Sequence, residues 1–461
     1  MKKMCLLLAV MLSIGQAAAF GAAADAPQAA PTFYKDVLPI LQENCQTCHR
    51  PNGANLGGMV APMAFTTYDE TRAWAKSIAR HVESKEMPPW HAAPEFHGVF
   101  ANERTLEPAE IATLVSWATS GAPAGHAAQA PAPREWPATA DGWSIGQPDV
   151  VLSMGDKYFV KDDVEDQYIT FFSRITPEMM PTGRWVKAVE FRPGSSVVHH
   201  IIAQPLGGIA PGNDPTLFEE GFGMWLEPNT EVSWQMHYHK EPGPGTGVWD
   251  QSFAALRFYP EGYTPQHAVL NESMGKFDFV IPPGDPRYTA QTTAKFDRDT
   301  ILLGYTPHMH VRGTYSKYVA KYPDGKQEVL LEVPKYDFNW QTHYAYPSGG
   351  KRIPAGTEIE LTMAWDNSAD NPNNPDPSIE ITFGEPTTAE MMFGFVSYAD
   401  AEPGYQADES KRGVLSTQRI REIVKERFGL DWDTMTPEQK TELMDKFRQA
   451  RSQQRQQTTG E

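Results

Sequence analysis

Six potential metal ligands follow one another along the middle of this chain. They are five histidines and a methionine: His199, His200, His237, His308, His310 and Met391. Imidazole binds zinc, iron and copper alike, whereas the thioether of methionine is a soft ligand that favours copper, above all Cu(I). Because these residues lie far apart in the sequence, only a folded protein can gather them. Their order indicates two copper sites, one held by three histidines and one by two histidines and a thioether.

The spacing of the second group predicts how its side chains meet. On a strand, the two-residue separation of His308 and His310 sends both rings to one face, whereas Met309 points towards the core. Histidines without such a neighbour are expected to be structural, and these are His97, His126, His267 and His343.

The first group needs an irregular backbone. His199 and His200 are adjacent, so a regular strand would separate their rings, and they converge only at a strand end or a bulge. His237 and His239 share a face within the segment 234–239, so either of them could complete the trio.

A different pattern of ligands comes earlier in the chain. Cys45, Cys48 and His49 form the C-x-x-C-H sequence of covalent haem c attachment. A disulfide or a redox-active pair is the alternative use of the two thiols. The histidine that follows them favours one covalent haem, with His49 as the proximal iron ligand.

The sixth iron ligand is expected to be Met87, because it follows a full helix and the two prolines after it hold the backbone extended. A thioether ligand raises the reduction potential of the iron, which suits an electron carrier. An open position on the iron is one alternative, and the other candidate ligands are Met59, Met63, His81 and His91.

Residues 1–24 have the pattern of a cleaved signal peptide, with Lys2 and Lys3 before an apolar run and small residues at the cleavage site. Elsewhere no apolar run approaches the roughly 20 residues that span a bilayer. We therefore expect a periplasmic or secreted protein without an integral membrane segment. The net charge of −18 argues against nucleic-acid binding. The expected partners are a small-molecule substrate, O2 and a redox protein as electron donor.

The sequence pattern changes along the chain, and this change predicts a multidomain fold. Apolar periodicity in the first part indicates helices, and short β-rich runs between Pro/Gly/Asn turns indicate β-sandwiches further on. The predicted units are a small all-α domain (31–122, with helices over 33–44, 68–84 and 107–120), an Ala/Pro-rich linker (123–139), two all-β sandwich domains (140–268 and 269–405) and a short helical tail (411–456).

Two parts of the chain resemble known protein families. The segment 31–122 resembles mono-haem class I cytochromes c. The order His-His, Gln-x-His-Tyr, His-x-His, Glu-Met resembles the copper type II, ascorbate-dependent monooxygenases, the family of peptidylglycine and dopamine hydroxylating enzymes, over roughly residues 145–400. That family implies two jelly-roll sandwich domains, each with one copper, on opposite sides of a solvent-filled cleft.

The resemblance also implies roles for the ligands. The electron-transfer copper would be bound by His199, His200 and His237, and the oxygen-activating copper by His308, His310 and Met391. Gln235 matches a glutamine that precedes the family's third histidine, and His239 becomes a supporting residue.

The differences between this chain and that family limit the class of substrate that is expected. The copper region contains no cysteine, although the animal enzymes carry several disulfides there. Thr306, Phe393 and Phe395 stand where peptidylglycine enzymes hold a substrate carboxylate. Since burying an unpaired charge is strongly unfavourable, a more apolar substrate is expected.

These observations predict an exported haem–copper monooxygenase that hydroxylates a C–H bond with O2. The haem would relay electrons to the copper held by the first three histidines, supplementing or replacing ascorbate or another donor. The alternatives are a non-catalytic electron-transfer or copper-handling protein, and a structural β module with an incidental haem domain.

Overall fold

The computed structural model describes residues 30–51, 53, 61–136, 142–404, 424–426, 428–436, 439–440 and 442–443. The predicted signal peptide, Met59 and most of the predicted helical tail lie outside these residues. No helix in the described part of the chain is long and apolar enough to cross a membrane.

The helices lie mainly before the β region and pack around one apolar core. Phe33, Leu41, Leu114 and Trp117 are fully buried there. A helix is predicted to run unbroken from Tyr68, but the structure interrupts it at Trp74, whose backbone leaves the helical region (φ −103°, ψ 2°). The helices are α1 (Leu38–Asn44), α2 (Tyr68–Ala73), α3 (Ala75–Glu83) and α4 (Pro108–Thr119), with short helical turns at Phe33–Val37, Pro94–Phe96, Ala127–Gln129 and Trp432–Thr434.

The rest of the described chain is mostly β-structure. Its strands are β1 (Val150–Ser153), β2 (Tyr158–Val160), β3 (Asp166–Arg174), β4 (Arg184–Arg192), β5 (Val198–Gln204), β6 (Gly207–Ile209), β7 (Thr216–Leu217), β8 (Phe222–Leu226), β9 (Glu231–His239), β10 (Val248–Asp250), β11 (Phe253–Phe258), β12 (His267–Lys276), β13 (Val280–Ile281), β14 (Tyr288–Phe296), β15 (Thr300–His308), β16 (Gly313–Lys321), β17 (Gln327–Val333), β18 (Tyr344–Ala345), β19 (Lys351–Ile353), β20 (Thr357–Trp365), β21 (Ile381–Thr382) and β22 (Met392–Asp400).

The strands form two β-sandwiches, as predicted. In the first sandwich, a sheet ordered β1-β11-β4-β8 faces a sheet ordered β3-β9-β5-β6. In the second, β12-β22-β15-β18 faces β14-β20-β16-β17. A short parallel pairing between β8 and β12 joins the two sandwiches into one continuous ten-stranded sheet.

Alternation along the strands builds each core. On β9, Val232, Trp234 and Met236 are fully buried between the sheets, and the residues between them are partly exposed. Alternating side chains point to opposite faces of a strand, so this pattern fixes which residues face the partner sheet. The same alternation places Gln235 and His237 on the other face of β9, away from these core side chains.

The segment between α3 and α4 leaves the helical core. Phe96 and Phe100 are buried in the core of the second sandwich, and the ring of Trp90 lies 5.0 Å from that of Tyr344. Arg104 then pairs with Asp214 of the first sandwich at 2.5 Å. These contacts dock the helical part of the chain onto both sandwiches.

Candidate metal centre

The first histidine group lies at the start of β5 and the end of β9. The pairing of these strands is irregular between Val198 and His200, which allows the adjacent rings of His199 and His200 to converge. His200 pairs directly with His237 on β9. Donor atoms of the three histidines all lie within 4.8 Å of one another.

Asp166 fixes the ring of the third histidine. Nε2–H of His237 donates to the carboxylate of Asp166 at the start of β3, which leaves Nδ1 free to bind a metal. That Nδ1 lies 3.2 Å from Nδ1 of His200. Two nitrogens bound to one tetrahedral ion at about 2.0 Å would be about 3.3 Å apart. The separation therefore fits a shared ion.

The ring of His199 supports the same interpretation. Both of its nitrogens are buried without a hydrogen-bond partner among the described residues. A buried polar atom without a partner is costly, and a bound cation would satisfy it. The donor set of this group fits a metal that accepts imidazole, which includes copper and zinc.

The electrostatics keep these rings in the form that binds metal. Burial lowers the pKa of His199 to about 2, with neighbouring histidines adding to the effect, and holds the pKa of His200 well below its usual value. Burial also lowers the pKa of His237, although its bond to Asp166 opposes this. Burial would raise the pKa of Asp166, but hydrogen bonds from His237 and His239 hold it well below its usual range.

The second group lies at the end of β15. The strand ends at His308, and the rings of His308 and His310 are 5.5 Å apart and perpendicular. Nδ1–H of His308 donates to Gln341 Oε1 at 2.6 Å, and Nδ1–H of His310 donates to the Ala389 carbonyl at 3.2 Å. Both bonds leave Nε2 for a metal. Nε2 of His310 is buried and has no partner in the described part of the chain.

Burial keeps these two rings neutral as well. It lowers the pKa of His308 to about 4, although the bond to Gln341 opposes the change. It lowers the pKa of His310 to about 3, helped by the charge of His308. Met309, between them, is fully buried and belongs to the core of the second sandwich, as predicted. The prediction that both histidines lie on one strand is wrong, because β15 ends at His308.

Glu390 ties the turn after β15 to the predicted thioether ligand. Its fully buried carboxylate accepts from the backbone N–H of His310 at 2.8 Å and of Arg312 at 2.7 Å, and from Nε1–H of Trp365 at 3.0 Å. Burial raises the pKa of Glu390 to about 7, and these donors oppose the rise. Met391 follows directly and is partly buried, just before β22 begins.

The two histidine groups meet across the seam between the sandwiches. The rings of His200 and His308 are 6.0 Å apart, and Phe338 of the second sandwich stacks on His199 at 4.5 Å. Hydrogen bonds of Asp166 with Thr387 and of Gln235 with Glu385 also span this seam. The solvent-filled cleft that the resemblance implied between the two sites stays a prediction.

Several residues of the centre were not predicted. Asp166, Phe338 and Gln341 come from strands or loops far along the chain from the histidines that they contact. Asp166 lies in an acidic stretch, Asp162 to Asp166, and no pattern separates it from its neighbours. His239 lies at the rim, where its Nδ1 is 3.7 Å from the Asp166 carboxylate.

The C-x-x-C-H segment follows α1 directly. Cys45 and Cys48 are free thiols, and burial, the largest cause, raises the pKa of Cys45 to about 12. The ring of His49 stacks on Phe65 at 4.4 Å, and its Nδ1–H donates to the Met63 carbonyl at 3.2 Å. Nε2 of His49 therefore remains for an axial bond, and two thiols beside it fit a thioether-linked haem.

The predicted sixth ligand remains a prediction. Met87 lies beyond the end of α3, and its side chain is about a third exposed. Met63 contacts the helical core, and its carbonyl already holds His49. Burial lowers the pKa of His91, whose Nδ1 is buried and unpartnered among the described residues.

Comparisons with known proteins give no family. No protein family matches this sequence, and no curated protein matches it. Among solved structures, the chain is similar to the major capsid protein P2 of bacteriophage PM2 (TM-score 0.25, 9% identity, 53% of this chain and 97% of that one). It is also similar to PBCV-1 VP54 fitted into the virophage Sputnik (0.22, 8%, 55% and 97%) and to a protein of infectious bursal disease virus, Gx strain (0.18, 9%, 65% and 93%). Likenesses at these TM-scores carry no argument about function.

Proposed function

We propose that this chain is an exported copper-dependent monooxygenase with an N-terminal haem c domain, and that its two sandwiches are jelly rolls. It would hydroxylate a C–H bond of a small, fairly apolar substrate with O2. The observation that carries this proposal is that the His199/His200/His237 group meets His308 and His310, with the rings of His200 and His308 6.0 Å apart. Met391 is proposed as the third ligand of the second group because of the resemblance. Copper bound at the two groups would supply single electrons and activate O2.

The protein's own residues prepare both groups. The bonds of His237 to Asp166 and of His308 to Gln341 orient the rings and select the nitrogen that is left free. The rings of the ligands are buried or partly buried, so they are presented to a metal as neutral donors. Phe338 covers His199 and limits the access of water.

The unlike donor sets support copper over zinc. Three imidazoles suit either metal, but a thioether in the second group would select Cu(I). A haem held by Cys45, Cys48 and His49 would accept electrons one at a time, which suits a protein that must deliver single electrons.

Metal analysis combined with oxygen uptake tests the proposal. The purified holoprotein is expected to bind two coppers per chain and to consume O2 with a reductant and an apolar substrate. Met391→Ala should release the second copper, mainly as Cu(I), and His199→Ala should release the first. Met309→Ala is the matched control, because Met309 is a neighbouring buried methionine that faces the core.

Different results would contradict the copper centre and the catalytic activity. One copper per chain, or zinc displacing copper from both sites, would contradict the two-copper centre. Two coppers without oxygen consumption over a panel of substrates would instead favour a non-catalytic electron-transfer or copper-handling protein.

A further inference from the structure

Four phenylalanines form an aromatic surface beside the second histidine group. Phe393 and Phe395 on β22 stack with ring centroids 5.9 Å apart. Phe277, just beyond β12, lies edge-on to Phe393 at 5.5 Å and to Phe383 at 4.8 Å. We call Phe277, Phe383, Phe393 and Phe395 the phenylalanine shelf.

The shelf lies on the outer face of the second sandwich. Met392 and Val396, which alternate with the shelf residues on β22, are fully buried in the core. Phe393 and Phe395 therefore point to the opposite side of the sheet. Phe277 is 43% exposed. Contiguous aromatic surface in contact with water is unfavourable, and such surfaces mark binding sites.

The shelf adjoins a proposed copper ligand. His308 pairs with Phe393 across the β15–β22 ladder, and their ring centroids are 6.4 Å apart. Thr306 pairs with Phe395 in the same ladder. A molecule that lies on the phenylalanine shelf is therefore held next to the second histidine group.

The same face carries no charge at the paired positions. Residues directly opposite each other in an antiparallel ladder share a face. The registers place uncharged residues around the shelf, namely Asn271, Ser273 and Gly275 on β12, Ser397 on β22, and Gly304 and Thr306 on β15. A charged ligand would lose its hydration there without gaining a counter-charge from a side chain at these positions.

We infer that the phenylalanine shelf binds the substrate and that the substrate is an uncharged molecule with an aromatic ring. The inference rests on the proposed function and names its substrate class. Rings pack edge-on or offset on phenylalanine at centroid distances of about 4.5–7 Å, the spacing already present within the shelf. Phe277 leaves part of its own ring free for such a contact.

Equilibrium binding to the copper- and haem-loaded full chain tests this inference. The probes are 3-phenyl-1-propanol, its charged counterpart 3-phenylpropanoate and the ring-free 1-hexanol, all followed by calorimetry. The phenyl alcohol should bind at least about ten-fold more tightly than either of the others, and Phe277→Ser should weaken it about ten-fold. Phe277→Leu keeps apolar area without the ring and should give an intermediate loss.

Trp249→Ser is the matched control, since Trp249 is 61% exposed and packs at a tilt against Phe159 on the first sandwich, away from the shelf. Its binding of the phenyl alcohol should equal that of the unaltered protein. Equal binding by the carboxylate or hexanol, or binding unchanged in both Phe277 variants, would overturn the inference. Copper content measured on the same samples separates the two proposals: intact copper without aromatic binding refutes only the shelf, and absent copper refutes the proposed function.

Discussion

At the scale of single residues, Asp166 connects the first histidine group with the loop that precedes β22. One oxygen of its carboxylate accepts from His237, and the other accepts from the backbone N–H of Thr387 at 2.7 Å and its hydroxyl at 3.1 Å. Thr387 belongs to the loop that leads to Met391. A single side chain therefore orients a proposed ligand of the first group and anchors the loop that carries a proposed ligand of the second.

Asp166→Asn should weaken copper binding at the first group. An amide offers one acceptor oxygen instead of two, so the contact with either His237 or Thr387 is lost. Residues that orient ligands typically contribute about 10–100-fold to metal affinity. Competition with a copper chelator measures the loss. Glu165→Gln removes the same charge from the exposed neighbouring residue and should leave the affinity unchanged. An equal loss in both variants would mean that net charge, not orientation, is responsible.

The haem prediction also belongs to single residues. Replacing Cys45 and Cys48 with Ala should abolish covalent haem in protein made with a cytochrome c maturation system, because no other cysteine remains after the signal peptide. Haem staining on a denaturing gel measures this. Met87→Ala is the comparison: the stain should persist while the reduction potential of the iron falls. A stain that survives the double cysteine change would refute the attachment site.

At the scale of elements, β12 must approach β22 closely beneath the phenylalanine shelf. Gly275 pairs with Phe393, and a Cβ at position 275 would lie 2.6 Å from the Phe393 ring. Phe277 and Phe383 surround that ring, so it has little room to turn away. The glycine is therefore required by packing, although the sequence alone does not distinguish it from a turn residue.

Gly275→Ala should lower the free energy of unfolding by about 1–3 kcal/mol, the usual cost of overpacking. It should also weaken aromatic binding, because Phe393 is displaced. Urea unfolding measures the first effect. Ser273→Ala, two residues earlier on the same face and exposed, adds no clash and should change the stability little. Similar stability of the two variants would show that Phe393 can move without cost.

Sequence reasoning succeeds where the pattern is local and fails where distant elements meet. Short β-rich runs between turn residues predict the sandwiches, because each run and each turn is a local signal. The adjacency of His199 and His200 predicts an irregular backbone, because successive side chains on a regular strand point to opposite faces. The contacts of Phe338 with His199 and of Gln341 with His308 depend on how the two sandwiches pack. No periodicity in the chain encodes that packing.

At the scale of the whole molecule, the helical part is fastened at the junction of the two sandwiches. Burial raises the pKa of the Cys48 thiol, and Arg104 and Asp214 lie close enough to act on it in opposite directions. Arg104 also donates to the Gly212 carbonyl at 3.4 Å. The loop that holds Gly212 and Asp214 contacts Gln341 through Pro211 and Asn213. A line of neighbouring residues thus leads from Cys48, in the proposed haem attachment site, to Gln341, the partner of His308.

This arrangement predicts that the haem delivers electrons to copper within one chain. With haem reduced anaerobically in copper-loaded protein, addition of O2 should oxidise the haem at a rate independent of protein concentration. The rate should be lost in His199→Ala if electrons enter through the first group. Arg104→Gln breaks the ion pair with Asp214, and a docking loss of about 1 kcal/mol would slow the reaction about five-fold.

Arg134→Gln is the control for the loss of a cation, because Arg134 donates to the carbonyls of Gln42 and Glu43, which belong to the helical part. Its rate should match that of the unaltered protein, and copper content should be equal in all samples. A rate that rises linearly with protein concentration would mean that the haem reacts between molecules. A rate unchanged in Arg104→Gln would mean that docking at this junction does not govern transfer, because the linker at 123–139 would then suffice to keep the haem near the copper.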